Sequence, residues 1–266
     1  MRRSIATVSL DGPLEGRLTA AARAGFDAVE IFEPDLLDGP LSPSGVRRLA
    51  ASLGLGLDLY QPFRDAETTD PDRWRATLRR AGRTFATMAE LGADLLLVCS
   101  SVAQDAPADD ALTAAQLAEL ADHAAAHGMR IAYEALAWGR RVNDYRHGWR
   151  IVDRAAHPAL GVCLDSFHVL SRDDDPAAIR DIPGHRLFFV QLADAPRLTL
   201  DLLQWSRHHR RLPGRGDFDL TTFLGHVLAT GYPGPLSLEI FNDITGRTAT
   251  EALRSLIALE STLSAR

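Results

Sequence analysis

Four short apolar segments of the chain each end in an acidic or amide side chain. The residues at these ends are Glu134, Asp165, Gln191 and Glu239. If the segments are parallel strands of one barrel, their carboxyl ends meet at one face, where three carboxylates would repel each other unless a cation neutralised them. Carboxylate and amide oxygens are hard ligands that favour Mg²⁺ or Mn²⁺, with Co²⁺ as a further fit. The pattern therefore predicts one divalent metal ion bound by these side chains; the alternative is that each acid caps its strand or pairs with an arginine.

His168 follows the Asp165 strand end by three residues. The imidazole of histidine has an unperturbed pKa of about 6.5, so it can exchange a proton near neutral pH. Its spacing from Asp165 places it beside the proposed metal, and we predict that it acts on a substrate as an acid or a base. A histidine with a structural role is the alternative.

Charged side chains elsewhere in the sequence could join this site. Arg64 stands in the segment after the third predicted strand, and residues 204–217 concentrate hydroxyl, imidazole and guanidinium groups. The forked hydrogen bonds of a guanidinium suit a substrate carboxylate or phosphate, although a solvated loop or an oligomer contact would have the same composition. Glu30 and Glu33 could extend a metal cluster or form salt bridges.

Strand and helix patterns alternate along the whole chain, and glycine follows nearly every helix. The predicted strands are residues 4–9, 28–32, 55–60, 94–99, 130–134, 160–165, 187–191 and 235–239. Together with the helices between them they form eight βα units, and we predict that residues 1–266 are a single (β/α)₈ barrel domain. A doubly wound open sheet is the competing architecture, but the turn at residues 10–13 lacks its glycine-rich phosphate-binding signature. A short helix is predicted at residues 176–182, and an irregular segment from the seventh strand to Asp219.

The bulk composition restricts the classes of function. With 266 residues and 46% hydrophobic content, the chain can bury a large core, and a single α/β barrel commonly has about this length. The net charge is −6, which gives no reason to expect nucleic acid or a membrane surface as a partner. No apolar run approaches the roughly 20 residues that span a bilayer. Cys99 and Cys163 stand in apolar segments, where reduced thiols are expected, and a cytoplasmic protein fits best.

At these residues the sequence resembles the xylose-isomerase-like barrel superfamily, and more closely the 3-dehydroshikimate dehydratases of quinate and shikimate catabolism. The resemblance covers essentially the whole chain and includes Leu164-Asp165-Ser166-Phe167-His168 and Leu238-Glu239-Ile240-Phe241-Asn242-Asp243. The other segments that carry it are residues 60–65, 133–139, 142–145, 191–196, 204–208 and 213–218. Some relatives carry a dioxygenase-like domain after the barrel, and none is expected within residues 1–266.

The resemblance implies a function and roles for single residues. A metal-dependent lyase would dehydrate 3-dehydroshikimate to protocatechuate through a metal-stabilised enolate. The four strand-end residues would be the metal ligands and His168 the acid/base residue. Ser206 and Arg210 would contact the substrate, and Arg64 or Arg210 would orient its carboxylate. A small-molecule carboxylate is therefore the expected partner, and a homo-oligomer is compatible with the sequence.

Three other functions stay open from the sequence. A sugar or polyol isomerase or epimerase of the same superfamily commonly has histidine at the seventh-strand ligand, where this chain has Gln191. An endonuclease acting on abasic DNA would need a histidine-rich multi-metal cluster and a basic groove, which 9 dispersed histidines and a negative net charge do not indicate. A non-catalytic ligand-binding barrel is the third.

Overall fold

Eight parallel strands form a closed barrel in the computed structural model, which describes residues 1–243, 246 and 248–264. The strands are β1 Arg3–Ala6, β2 Ala28–Phe32, β3 Gly56–Phe63, β4 Leu95–Cys99, β5 Arg130–Glu134, β6 Leu160–Asp165, β7 Leu187–Leu192 and β8 Leu236–Leu238. Each strand pairs in parallel with the next, and β8 pairs with β1 to close the sheet. The predicted (β/α)₈ barrel is therefore confirmed.

Helices follow the strands, and the longer ones pack side by side around the outside of the barrel. They are α1 Leu14–Ala24, α2 Glu33–Leu37, α3 Pro43–Ser52, α4 Pro71–Leu91, α5 Asp110–Ala126, α6 Tyr145–Ala155, α7 Ser166–Leu170, α8 Leu202–His208, α9 Leu220–Ala229 and α10 Ala249–Ser264. The side chains of Asp70, Asp109 and Asp144 each accept a backbone N–H in the first turn of the helix that follows, which fixes the loops at the carboxyl end of the barrel. None of the helices in the described ranges combines the length and the apolar character that crossing a membrane requires.

Inside the barrel, apolar side chains lie below the polar strand ends. The apolar cluster includes Leu59, Leu95, Leu97, Ala132 and Phe189. Because side chains alternate across a strand, the same inner face of β3, β5 and β7 carries Gln61, Glu134 and Gln191 two residues further on. The pairing of β6 with β7 sets Asp165 beside Gln191. Strand register therefore brings these polar groups together at the end of an apolar barrel interior.

β3 is longer than predicted, because it continues through Pro62 to Phe63 instead of ending at residue 60. Proline lacks the N–H that a central strand donates, so it is usually interpreted as the end of a strand. The extra residues have a consequence for the site, since they place Gln61 on the barrel wall.

Three shorter elements also differ from the prediction. The segment after β7, predicted to be irregular, contains α8, whose N-terminus is capped by Asp201. The predicted short helix before β7 is a 3₁₀ helix at Pro176–Asp181. The first strand ends at Ala6 and is followed by a 3₁₀ turn at Thr7–Ser9.

Glu67 is a buried carboxyl group in the loop between β3 and α4. The Tyr133 hydroxyl on β5 donates a hydrogen bond to Glu67 Oε1. Burial raises the pKa of Glu67 to about 7, although hydrogen bonds from Tyr133 and from the Ser101 backbone oppose the rise. The Glu67 carboxyl group therefore connects the loop after β3 to the loop after β4 through the Ser101 backbone. Because it is buried, its ionisation is energetically costly.

Replacing Glu67 by glutamine is expected to change how stability depends on pH. The folded-state pKa of about 7 lies above the ordinary value of 4.5, so the stability that the neutral carboxyl contributes is fully present below about pH 4.5 and is lost as pH rises through about 7. The full shift corresponds to about 3 kcal/mol. Urea unfolding at about pH 5 and pH 8 should show wild type losing stability relative to Glu67→Gln. The exposed control Glu90→Gln should follow wild type, and identical pH profiles for all three proteins would contradict the expectation.

Candidate active site

A cavity of about 320 Å³ opens at the carboxyl ends of the strands. The predicted site residues that line it are Arg64, Glu134, His168, Ser206, Arg210 and Glu239. Asp165 and Gln191 are completely buried at the strand ends beside this space. Asp165 shares a small adjoining cavity with Glu134 and His168. The structure thus brings the predicted site residues to one end of the barrel, with Arg64 exposed at the entrance.

Glu134, Asp165 and His168 form a buried cluster that could hold a metal ion. One potential ligand atom from each lies within 4.8 Å of the other two. Within the part of the chain that the structure describes, Glu134 Oε1 is buried without a hydrogen-bond partner. A buried carboxylate oxygen rarely lacks a partner unless an ion or a ligand completes its coordination. The carboxylate oxygens of Glu134 and Asp165 therefore suit a divalent cation.

The acids of the cluster are hard to ionise together. Burial raises the pKa of Glu134 well above its ordinary value, and the charges of Asp165 and Glu239 raise it further. Burial also raises the pKa of Asp165 to about 6, although the guanidinium of Arg210 opposes the rise. A bound cation would favour the charged form of each carboxyl group and so reverse these shifts.

Arg210 supplies positive charge to the cluster. Its Nη1 donates to Asp165 Oδ2 at 2.6 Å and to Glu239 Oε2 at 2.9 Å. Its Nε and Nη2 both donate to Ser206 Oγ, at 3.2 and 2.9 Å. The guanidinium stacks over the Phe167 ring, 4.7 Å from its centroid. Arg210 is thus a counter-ion of two predicted metal ligands, and the Ser206 hydroxyl, which accepts from Arg210, can donate its own proton elsewhere.

The hydrogen bonding of His168 defines its tautomer. The backbone N–H of Ala137 donates to His168 Nδ1 at 3.1 Å, so the neutral ring carries its proton on Nε2. This Nε2 lies 3.7 Å from Asp165 Oδ2 and 4.0 Å from Glu134 Oε1. Burial and the charges of Arg210 and Arg207 lower the pKa of His168 well below its ordinary value. A metal-bound histidine normally donates from its second nitrogen, so the bond from Ala137 favours a donor beside the cation over a ligand.

Glu30, which the sequence left open, belongs to this polar cluster. Its Oε2 accepts hydrogen bonds from Gln61 Nε2 at 2.9 Å and from Gln191 Nε2 at 2.6 Å. Glu33 lies outside the cavity and accepts a hydrogen bond from the Tyr60 hydroxyl instead. Gln61 is a residue that the sequence analysis missed, because it was assigned to a loop. Strand alternation from the buried Leu59 could have identified it.

Arg207 is a second missed residue. It lies on α8 and lines the cavity with Arg64, and its guanidinium sits over the Phe241 ring, 4.5 Å from the centroid. Burial lowers the pKa of Arg207, and the charge of Arg64 lowers it further. Neither arginine has an acidic side chain within 4.0 Å in the described part of the chain. Two like charges facing one cavity without counter-ions indicate a place for an anion.

Fold and site together define the class of this protein. It is a (β/α)₈ barrel that has a buried acid and histidine cluster, able to hold a cation, at the carboxyl ends of its strands. The family model for xylose isomerase-like TIM barrels matches residues 18–259, and the chain belongs to that family.

Several known proteins are similar to the chain over nearly its whole length. It is 57% identical over 98% of its length to a 3-dehydroshikimate dehydratase of Pseudomonas putida, and 56% identical over 98% to one of Pseudomonas aeruginosa. The solved structure of a xylose isomerase-like TIM barrel/4-hydroxyphenylpyruvate dioxygenase fusion protein superposes with a TM-score of 0.96 over 99% of this chain, at 56% identity. The chain spans 42% of the length of both curated relatives and 43% of the fusion protein.

Substituting Glu134 by glutamine is expected to remove tight Mn²⁺ binding. The change replaces a buried carboxylate, one oxygen of which has no hydrogen-bond partner among the described residues, by a neutral amide. Changing a residue that only hydrogen-bonds to a metal ligand typically lowers metal affinity roughly 10- to 100-fold, and the loss of Mn²⁺ affinity in Glu134→Gln should be larger. Equilibrium dialysis against Mn²⁺, with metal analysis of the retained protein, measures it. Glu33→Gln, beside the barrel mouth but outside the cavity, is the matched control. Equal Mn²⁺ content in wild type and Glu134→Gln would contradict the ligation.

Proposed function

We propose that this chain is a metal-dependent dehydratase that converts 3-dehydroshikimate to protocatechuate. The observation that carries the proposal is the 57% identity to a curated protein of that name, which extends over 98% of this chain and therefore includes its cavity. The residues of the chain support the same chemistry, because they put buried oxygen ligands, a histidine and free guanidinium groups around one small space. We propose residues 1–266 as a single barrel domain, since β8 closes on β1 and α10 packs against α1.

Glu134, Asp165, Gln191 and Glu239 would hold one divalent cation, for which we propose Mg²⁺, Mn²⁺ or Co²⁺. These residues offer oxygen atoms, which suit such hard ions. When bound, the cation would stabilise the negative charge that develops on the ketone oxygen as a neighbouring proton leaves.

Arg64 and Arg207 are proposed to bind the substrate carboxylate. Both line the cavity, and their guanidinium groups have no acidic partner within ion-pair distance in the described ranges. Arg210, predicted from the resemblance as a substrate contact, donates to Asp165, Glu239 and Ser206 and therefore suits the role of counter-ion better. Ser206 keeps its proposed role as a substrate contact, through its hydroxyl proton.

His168 is proposed as the proton donor to the departing hydroxyl group. Dehydration removes a proton from C4 and the hydroxyl group from C5, and the resulting dienone tautomerises to the aromatic product with release of one water. The hydrogen bond from Ala137 supports the donor role. If the ring accepted a further proton, it would go to Nδ1, and the resulting N–H would face the backbone N–H of Ala137. The proton that leaves C4 would replace the one that Nε2 gives to the departing hydroxyl group, so that the ring is again neutral after the release of one water and Nδ1 keeps its bond from Ala137.

Incubating the purified chain with Mn²⁺ and 3-dehydroshikimate should produce the ultraviolet absorbance of a catechol. The His168→Asn variant should retain Mn²⁺ yet lose about 10²- to 10⁴-fold in kcat, the usual contribution of a general acid or base. Metal analysis of both proteins separates loss of proton transfer from loss of the cation. A chain that leaves 3-dehydroshikimate unchanged but interconverts ketoses or inososes would belong to the isomerase class instead, and full activity in His168→Asn would refute the role of the ring.

Arg64→Met and Arg207→Met are each expected to raise KM for 3-dehydroshikimate roughly 10- to 100-fold, because each removes a hydrogen bond to a charged group. Their kcat and Mn²⁺ affinity should change much less. Steady-state kinetics checks this, with Arg215→Met as the control, since Arg215 is an exposed arginine outside the cavity. If KM is unchanged in both variants and is raised only in Arg210→Met, then Arg210 binds the substrate carboxylate and the proposed role of Arg64 and Arg207 is wrong.

A further inference from the structure

Glu30 is a carboxyl group buried in the barrel wall on β2, with no exposed surface. Its two oxygens have different partners. Oε2 accepts from the side-chain amides of Gln61 and Gln191, and Oε1 accepts from the Ser237 hydroxyl on β8. Three strands besides its own therefore donate to this one side chain.

The contact with Gln191 determines which way that amide faces. The two ends of a glutamine amide have nearly the same shape but opposite chemistry, since only the oxygen can bind a cation and only the nitrogen can donate. Glu30 Oε2 lies 2.6 Å from Gln191 Nε2. Because Glu30 accepts this hydrogen bond, it stabilises only the orientation in which the amide nitrogen of Gln191 faces it. The amide oxygen of Gln191 is then left with the thiol of Cys163, a weak donor 3.6 Å away.

Gln61 extends the same arrangement to the last strand end. Its Nε2 donates both to Glu30 Oε2 and to Glu239 Oε1, at 2.9 and 2.8 Å. One oxygen of Glu239 is thereby fixed by Gln61, while the other accepts from Arg210. Glu30 is thus connected to two of the four side chains proposed to bind the cation, and it touches neither His168 nor the cavity.

We propose that Glu30 is a positioning residue, which holds the nitrogen of the Gln191 amide so that its oxygen, with only the weak Cys163 donor beside it, can bind the cation, and which fixes Glu239 through Gln61. This inference rests on the proposed metal site. Outer hydrogen-bond partners of metal ligands commonly control the orientation of the ligand and contribute 10- to 100-fold to metal affinity, which is the size of effect expected here.

Two substitutions separate hydrogen bonding from charge. In Glu30→Gln the new carbonyl oxygen can accept from both amides, and the new NH₂ group can donate to Ser237, so the geometry is kept without an ionisable group. In Glu30→Met the length is kept but no acceptor remains. Mn²⁺ affinity, measured by titration calorimetry, should stay within a few-fold of wild type for Glu30→Gln and fall about 10- to 100-fold for Glu30→Met. Glu67→Met, the same change of a buried glutamate outside the cavity, should leave Mn²⁺ affinity unchanged.

The outcomes distinguish this inference from the proposed function. If wild type binds Mn²⁺ and Glu30→Met binds it equally well, the positioning role is overturned while the metal site stands. If Glu30→Gln is weakened as much as Glu30→Met, the charge of Glu30 matters rather than its acceptor geometry, and the inference fails. A wild type that binds no Mn²⁺ would overturn the metal site and this inference together.

A measurement on wild type covers the case in which Glu30→Met does not fold. In the Mg²⁺-loaded protein, the side-chain NH₂ protons of Gln61 and Gln191 should exchange slowly with solvent in nuclear magnetic resonance spectra. Rapid exchange of the Gln191 amide would show that Glu30 does not hold it, and would overturn the inference without any variant.

Discussion

Repulsion among buried acids is the constraint on which the barrel mouth depends. Glu134, Asp165 and Glu239 share a poorly solvated space, where like charges are costly. Arg210 offsets part of that cost, because its guanidinium donates to Asp165 and Glu239. It makes no hydrogen bond to Glu134 within the described residues, so one acid still needs a positive neighbour. The negative charge of Glu134 is therefore not offset by Arg210, and a bound cation is the group that would neutralise it.

The fold could be predicted from the sequence because each strand is a short apolar run and glycine follows most helices. That pattern repeats eight times and leaves few alternatives to a closed parallel barrel. Helix α8 and the end of β3, which were not predicted, have no such repeated pattern. The seven residues of α8 make only about two turns, too short for an amphipathic pattern to be recognised in the sequence, and only the capping Asp201 marks its start. At β3, the proline after Gln61 indicated a strand end, but barrel pairing continues past it.

The site was predictable where strand position alone decides the outcome. Acids at strand ends gather at one face in any parallel barrel, so Glu134 and Asp165 could be assigned together. Long side chains are different, since several arginines lie near one another in the chain and only packing decides which reaches inward. Arg207 and Arg210 both line the cavity, but Arg210 donates to Asp165 and Glu239, whereas Arg207 on α8 lies over the Phe241 ring.

The hydrogen bonds across the mouth join residues far apart in the chain, since Gln61 and Glu239 are 178 positions apart and Glu30 and Ser237 are 207. During synthesis the ribosome makes β2, β3, β5 and β6 well before β8 exists. The hydrogen bonds from Ser237 to Glu30 and from Gln61 to Glu239 therefore cannot form until the last strand has been made, so the polar network at the mouth is completed last. A polypeptide that stops short of β8 would be left with open sheet edges on β1 and β7, and such edges can pair with another chain.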